Sequence, residues 1–339
     1  MAEKTVARAK TKATSALPLW LRGRETGVLI ALIVMCLALT LLNDRFLTST
    51  NLLNIGRQVS LLGIMAVGMT FVLIAGEVDL SVGSTYAFAG LSCGMIILTG
   101  VPLVLAIIVG LICGAVIGLI NGLLSTHGRL PSLIATLGML SMVRGAALIM
   151  TDGRPVTVNA RNGGDPAVLD QFTWIGQGYL FGVVPMQLVF FVIVAALGWV
   201  LLARSSFGFR VFAVGGSAKA ARVSGINVSA VKIWAFTLMG TLAAFAGILS
   251  MAFLPSGQAG RTGLGLELDV IAATIVGGTS MAGGEGTILG TILGVLIIGV
   301  LRNGLVLTGV SPFAQEFMIG LVIVVAVAID KWTSPPPSA

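Results

Sequence analysis

Long, almost uninterrupted apolar blocks are the feature of this sequence that most restricts its fold. They recur at close to the ~20 residues that a helix needs to cross a bilayer core, and short segments holding charges, Pro and Asn separate them. Only 10% of the 339 residues are charged, whereas soluble domains carry about 25%. The blocks also lack the alternating pattern of a membrane β-barrel. The sequence therefore predicts an all-α polytopic membrane protein.

Apolar windows predict about ten transmembrane helices. The predicted spans are 27–43, 59–76, 83–100, 102–124, 131–150, 184–203, 231–254, 269–282, 287–308 and 314–329. They form one transmembrane domain, 27–330, between a basic N-terminal tail, 1–26, and a short C-terminal tail, 331–339. The first block is long for a signal-peptide core and lacks a small-residue cleavage site, so we expect it to be an uncleaved span.

The distribution of basic residues predicts the orientation. Segment 204–232 contains no acidic residue, and its basic residues are Arg204, Arg210, Lys219, Arg222 and Lys232. Because positive charge is retained in the cytoplasm, this segment and both termini are predicted to be cytoplasmic. Segment 151–183 mixes acids and bases, as expected of an external loop. Orientation therefore accounts for the net charge of +7 better than nucleic-acid binding does.

A short pattern occurs twice. Glu77-Val78-Asp79 and Glu267-Leu268-Asp269 each precede a short apolar segment interrupted by glycine. In the predicted topology the two occurrences follow crossings of opposite direction, which predicts an inverted repeat relating spans two to five to spans seven to ten. Chance recurrence of so short a pattern is the alternative.

Acidic groups near membrane depth are costly, so Glu77 and Asp79 need a structural or functional reason. One hypothesis is that Asp79 or Ser81 caps the N-terminus of the helix that follows. The other is that these side chains face a hydrated pathway and contact solute.

Further polar side chains lie in or beside apolar spans. They are candidates for hydrogen bonding to a hydroxylated solute, or equally for bridging two helices: Asn121, Thr136, Thr279, Ser280 and Asn303. Arg144 is a strong base inside a span, and it either extends towards the interface or pairs with an acid such as Asp152.

The sequence lacks a catalytic set. Its one histidine, His127, lies on a short polar connection, so Ser/His/Asp and zinc mechanisms are incomplete. Cys36, Cys93 and Cys113 have no metal-binding or redox spacing. Segment 281–286 is glycine-rich but lacks the Lys-Ser/Thr of a phosphate loop. We therefore expect no metal, no cofactor on this chain and no chemistry on substrate.

Four segments in order resemble the ribose-type, or simple-sugar, family of ABC importer permeases. They are Glu77-Val78-Asp79-Leu80-Ser81-Val82-Gly83, Leu130-Pro131-Ser132 through Thr136-Leu137-Gly138, Phe207-Gly208-Phe209-Arg210 through Ser224-Gly225-Ile226, and Val276-Gly277-Gly278 through Glu285-Gly286. The similarity covers about residues 45–330. Two departures from the family pattern appear: Glu77-Val78-Asp79 stands where the family usually has Gly-Ile-Asp, and Ser217 stands where it usually has Asn.

The resemblance implies a membrane-spanning subunit that imports a sugar, polyol or similar solute across the bacterial inner membrane. It implies a second permease copy or paralogue, two cytoplasmic ATPases holding ATP and Mg, and a periplasmic solute-binding protein. The segment that couples to the ATPases is then 204–232, with the matching residues Gly208, Arg210, Gly215, Gly216, Ala220, Ala221 and Gly225.

Two other functional classes remain open from the sequence. An ion-coupled secondary transporter also has inverted repeats and membrane acids. A passive channel is less consistent, because the sequence has no repeated charged rings. A merely solvated, positive-inside loop is the alternative for 204–232.

Overall fold

The computed structural model describes residues 24–311, 313–315, 317–321 and 324, and these residues are predominantly helical. In chain order the helices are α1 (Arg24–Leu42), α2 (Ser49–Ile74), α3 (Val82–Leu98), α4 (Leu103–Thr126), α5 (Ser132–Thr151), α6 (Pro166–Gln177), α7 (Met186–Arg204), α8 (Ser206–Gly216), α9 (Ala218–Val223), α10 (Val228–Phe253), α11 (Leu266–Val276) and α12 (Ile288–Leu307). Four two-residue strands, β1 (Val156–Thr157), β2 (Tyr179–Leu180), β3 (Val184–Pro185) and β4 (Ser256–Gly257), lie in the connections.

Seven of the described helices are long and apolar enough to cross a membrane, which confirms the all-α polytopic class. They are α1, α2, α4, α5, α7, α10 and α12. α3 and α11 are shorter, although each coincides with a predicted span. Half of the residues of the predicted span at 314–329 lie outside the described residues, so the count of ten crossings stays a prediction.

Helix α2 begins at Ser49, ten residues before the predicted start at 59. Its first turns carry the polar residues Asn51, Asn54, Arg57 and Gln58, which lower the hydropathy of any window that includes them. The helix begins where the Thr48 side chain accepts a hydrogen bond from the Asn51 N–H at 3.4 Å. The predicted boundary was therefore wrong because apolarity marks the membrane core and not the end of the helix.

Helix α11 is shorter than the predicted span 269–282. It ends at Val276, and an eleven-residue helix covers only about 17 Å, roughly half of a bilayer core. The chain then runs through a glycine-rich connection, 277–287, in which Gly278, Gly283 and Gly284 have positive φ. The second half of that predicted span was therefore wrong, because this backbone conformation cannot continue a helix.

Helix α10 lies at the centre of the bundle, packed against α2, α3 and α4. Small residues permit the close approach to α4: a Cβ on Gly114 would lie 2.3 Å from the Gly240 carbonyl oxygen, and one on Gly118 would lie 2.2 Å from the Phe236 carbonyl oxygen. Such contacts stabilise helix pairs in lipid, where no hydrophobic effect drives helices together.

The connection predicted as an external loop, 151–183, is structured. It contains α6, and β1 pairs antiparallel with β4, with Val156 opposite Gly257. β2 and β3 form a second antiparallel pair. The connection thus ties the end of α5 to the end of α10.

Helices α1 and α12 run in the same direction. Near their first turns the Thr287 hydroxyl donates to Glu25 Oε1 at 2.5 Å, and at their ends Asn43 Nδ2 donates to the Leu307 carbonyl oxygen at 2.9 Å. The predicted topology also gives these two spans the same direction. It places the first end in the cytoplasm and the second outside.

Candidate functional site

Three predicted residues form a buried polar cluster between α3 and α4. Asp79 is 2% exposed, and Oδ1 of its carboxylate accepts from the Ser81 N–H at 2.8 Å and the Ser81 hydroxyl at 2.7 Å. Asn121 on α4 donates from Nδ2 to Ser81 Oγ at 2.8 Å and to Asp79 Oδ2 at 3.3 Å. These bonds compensate much of the cost of burying the carboxylate.

The predicted side-chain cap of α3 was wrong. Ser81 is the N-cap residue, but its hydroxyl makes no capping bond to the first turn of the helix. Its hydroxyl instead donates to Asp79, whose carboxylate bonds the residue that precedes the helix. Asp79 and Ser81 therefore stabilise the connection and fix its position against α4.

Thr136 lies beside this cluster on α5. Its hydroxyl donates to the Ser132 carbonyl oxygen at 2.8 Å, and the Val78 carbonyl oxygen is 3.4 Å away. The Ser132 hydroxyl in turn accepts from the Val78 N–H at 3.3 Å. The start of α5 thus contacts both backbone polar groups of Val78, the residue before Asp79.

Glu77 forms an ion pair with Lys232 on α10. Both side chains are largely buried, at 12% and 20% exposure. The sequence singled out both residues but did not pair them, because 155 positions separate them. The pair links the connection after α2 to the first turns of the central helix.

The coupling segment, which we define as residues 204–232, folds into two short helices followed by the start of α10. Ser205 caps α8 by accepting from the Gly208 N–H at 3.1 Å, and Ser217 caps α9 by accepting from the Ala220 N–H at 3.2 Å. Ser217 stands where the family pattern usually has Asn, and serine is an equally suitable N-cap residue. The departure therefore leaves the helix start intact.

A glycine junction, made by Gly76, Gly215, Gly283 and Gly284, joins the coupling segment to the transmembrane bundle. A Cβ on Gly215 would lie 1.6 Å from the Ile74 carbonyl oxygen and 2.5 Å from the Gly284 nitrogen. The Gly284 N–H donates to the Ile74 carbonyl oxygen at 2.9 Å. Two of the four segments that carry the family resemblance therefore meet backbone to backbone at this point, against the end of α2.

The predicted coupling residues divide into two groups. Gly208, Gly215 and Ala221 pack inside the segment or against the bundle, while the exposed members are Arg210, Gly216, Ala220 and Gly225. Two exposed apolar side chains were missed by the sequence analysis, Phe209 at 70% and Val223 at 86% exposure. Their sequence signal is large apolar residues within an otherwise basic segment.

The remaining pathway candidates have different surroundings. Ser280 Oγ accepts from the Ala282 N–H at 3.2 Å, inside the glycine-rich connection, and Thr279 is fully buried beside Gly286. Asn303 Nδ2 donates to Asn51 Oδ1 at 2.8 Å, and Asn51 Nδ2 returns a bond at 3.0 Å. This reciprocal pair bridges α2 and α12, which favours the helix-bridging interpretation for Asn303.

Arg144 does not pair with Asp152. Its Nη1 donates to the carbonyl oxygens of Ala259, at 2.8 Å, and Thr262. Asp152 instead contacts Arg154 at the surface, 3.3 Å away. The predicted Arg144–Asp152 pair was wrong because the connection between α10 and α11 lies against α5 and offers backbone acceptors.

The sequence analysis also missed an ion pair at the opposite end of the bundle from the coupling segment. Arg302 Nη2 on α12 donates to Asp269 Oδ2 on α11 at 2.8 Å. The second Glu-x-Asp pattern pointed to Asp269, but nothing adjacent in sequence pointed to Arg302. For either the Asp269–Arg302 ion pair or the Asp79 cluster to contact solute, its side chains must line a cavity.

Known proteins similar to this chain are permeases. A profile of the family described as "Branched-chain amino acid transport system / permease component" matches residues 51–327. The ribose import permease protein RbsC of Bacillus subtilis (strain 168) is 45% identical over 308 residues, covering 91% of this chain and 93% of that protein.

Two further relatives come from Escherichia coli (strain K12). Its ribose import permease protein RbsC is 42% identical over 313 residues, covering 92% of this chain and 94% of that protein. Its L-arabinose transport system permease protein AraH is 35% identical over 308 residues, covering 91% and 90%. No solved structure matches.

Proposed function

The chain belongs to the family described as branched-chain amino acid transport system / permease component, and from this membership we propose that it is the membrane-spanning subunit of an ATP-driven sugar importer. It is a multi-pass transport permease and not an enzyme. The resemblance to the ribose-type permeases is confirmed by relatives that match along nine tenths of the chain. The names of the ribose and L-arabinose permeases among these relatives support a pentose as the solute.

The glycine junction is the observation that carries the mechanism. It holds the coupling segment against the cytoplasmic end of α2 and against the 277–287 connection at the same time. A displacement of α8 and α9 is thus transmitted through backbone contacts, with no flexible side chain between, to both halves of the bundle. ATP-driven closure of partner subunits would in this way alternate the outward and inward openings.

The family resemblance supports the partners. One of two ATPases holding ATP and Mg binds the exposed face of α8 and α9, a second permease copy or paralogue binds the other ATPase and completes the pathway, and a periplasmic binding protein delivers solute to the outer face. We place the chain in the bacterial inner membrane with both termini in the cytoplasm. The basic, acid-free composition of the coupling segment supports that orientation.

Phe209 and Val223 provide the test of the ATPase interface. We expect Phe209→Glu and Val223→Glu to abolish co-purification of the partner Walker-motif ATPase, because both put a charge into an apolar contact. ATP-driven pentose uptake into proteoliposomes should fall to background. The matched control is Phe181→Glu, which changes another exposed phenylalanine, 90% exposed, on the predicted outer face.

Normal ATPase association and uptake in both variants would overturn the proposed interface. Uptake by the wild-type chain that needs no ATP would instead support a secondary transporter or channel. The Phe181→Glu variant should bind the ATPase as the wild type does.

A further inference from the structure

A cavity of about 320 Å³ lies between α2, α3, α11 and α12. It contains none of the polar pathway candidates that the sequence analysis named. The polar side chains that line it are Gln58, Tyr86, Asp269, Arg302 and Gln315, and apolar residues such as Leu62 complete its wall. Its volume is at the lower end of the range for small-molecule pockets, about 300–1,000 Å³.

The Asp269–Arg302 ion pair forms one side of this cavity. The Asp269 side chain is 11% exposed, while that of Arg302 is 42% exposed. An ion pair at this position would be costly if it faced lipid, because charged groups within a bilayer are stable only against protein or water. The open side of the guanidinium therefore faces a hydrated space.

The chemistry of the lining selects for one class of ligand. The carboxylate accepts hydrogen bonds, the guanidinium donates them, and the amides of Gln58 and Gln315 do both. Vicinal hydroxyl groups also donate and accept, so they match this set. Asp269 and Arg302 are the charged residues among the described lining, and because their charges balance, the site favours a neutral ligand.

We propose that this cavity is a transient binding site, within the permease itself, for a small neutral polyhydroxylated solute such as a pentose. The proposal rests on the proposed function, whose topology makes this end of the bundle the outer one. Gln58 lies in the first half of α2, and Arg302 lies near the end of α12 at which Asn43 contacts Leu307. Solute released outside would therefore reach this cavity before the glycine junction.

The test measures pentose binding without the binding protein. The permease–ATPase complex in lipid nanodiscs is heated with increasing D-ribose or L-arabinose, and the shift of its unfolding midpoint gives a Kd. We expect the wild type to bind the pentose that it transports. Gln58→Leu, which changes an exposed side chain, should weaken binding about tenfold through loss of the amide. Leu62→Trp, which fills the cavity, should abolish binding.

Gln171→Leu is the matched control, since Gln171 is an exposed glutamine on α6 that lies outside this cavity. It should keep the wild-type Kd. An unchanged Kd in Gln58→Leu, or a wild-type complex that transports a pentose with ATP yet shows no midpoint shift, would overturn the cavity proposal alone. Absence of ATP-driven pentose uptake by the wild type would count against the proposed function instead.

Discussion

Buried polar side chains on α4 and α12 occupy matching sequence contexts. Asn121-Gly122-Leu123 on α4 has a counterpart in Asn303-Gly304-Leu305 on α12. Asn121 bonds Asp79, and Arg302, next to Asn303, bonds Asp269. Each Glu-x-Asp pattern is thus joined to a helix of its own half of the chain. The correspondence supports the inverted repeat, which stays a prediction.

Replacing Asn121 tests the importance of the buried cluster. We expect Asn121→Leu to destabilise the protein by about 1–3 kcal/mol, because Asp79 and Ser81 then lose a hydrogen-bond donor inside the bundle. The measurement is the midpoint of thermal unfolding in detergent. Val116→Ala, on the exposed side of the same helix, is the control and should change the midpoint far less. Equal midpoints for the two variants would show that the cluster contributes little.

At the scale of elements, the contact between α8 and the bundle depends on the absence of a side chain at one position. Gly215 and Gly216 are adjacent, yet only Gly215 faces the Ile74 carbonyl oxygen. A Cβ on Gly216 would meet no atom within 4 Å. The two glycines lie side by side on the same helix, so the same substitution at each position differs only in the contacts of the new Cβ.

Gly215→Ala should separate α8 from the end of α2 and from the 277–287 connection, because the new Cβ would lie 1.6 Å from the Ile74 carbonyl oxygen and 2.5 Å from the Gly284 nitrogen. We expect ATP-driven uptake to fall several-fold while the ATPase still binds through Phe209 and Val223. Gly216→Ala should transport at the wild-type rate. The measurement is uptake by the two variants in proteoliposomes at matched protein amounts. Equal uptake by both variants would contradict direct transmission of motion through the glycine junction.

The helices could be predicted from the sequence where a single signal, such as continuous apolarity, determines them. Continuous apolarity located the seven described helices that are long enough to cross a membrane, and the basic segment with its glycines indicated a compact helical element at 204–232, where α8 and α9 lie. The early start of α2 and the end of α11 at Val276 were missed, since polar first turns and glycine backbone angles lie outside a hydropathy window. Long-range pairs such as Glu77–Lys232 and Asp269–Arg302 needed the fold itself.

At the scale of the whole molecule, the packing of the two halves is exchanged. α3 and α4 pack on α10, which belongs to the second half, while α11 and α12 pack on α2, which belongs to the first. Each half therefore supplies the central helix of the other. Because each half packs on a helix of the other, we expect a displacement of the coupling segment to reach helices of both halves.

The orientation of the coupling segment is the claim on which the importer mechanism depends, and cysteine labelling measures it directly. Cys36, Cys93 and Cys113 are first replaced by Ala, and a single cysteine is introduced by Val223→Cys or, as the control on the opposite face, by Arg161→Cys. A membrane-impermeant maleimide is then applied to spheroplasts. We predict labelling of the Arg161→Cys variant in intact spheroplasts, and labelling of the Val223→Cys variant only after the membrane is permeabilised. Labelling of the Val223→Cys variant in intact spheroplasts would contradict the account.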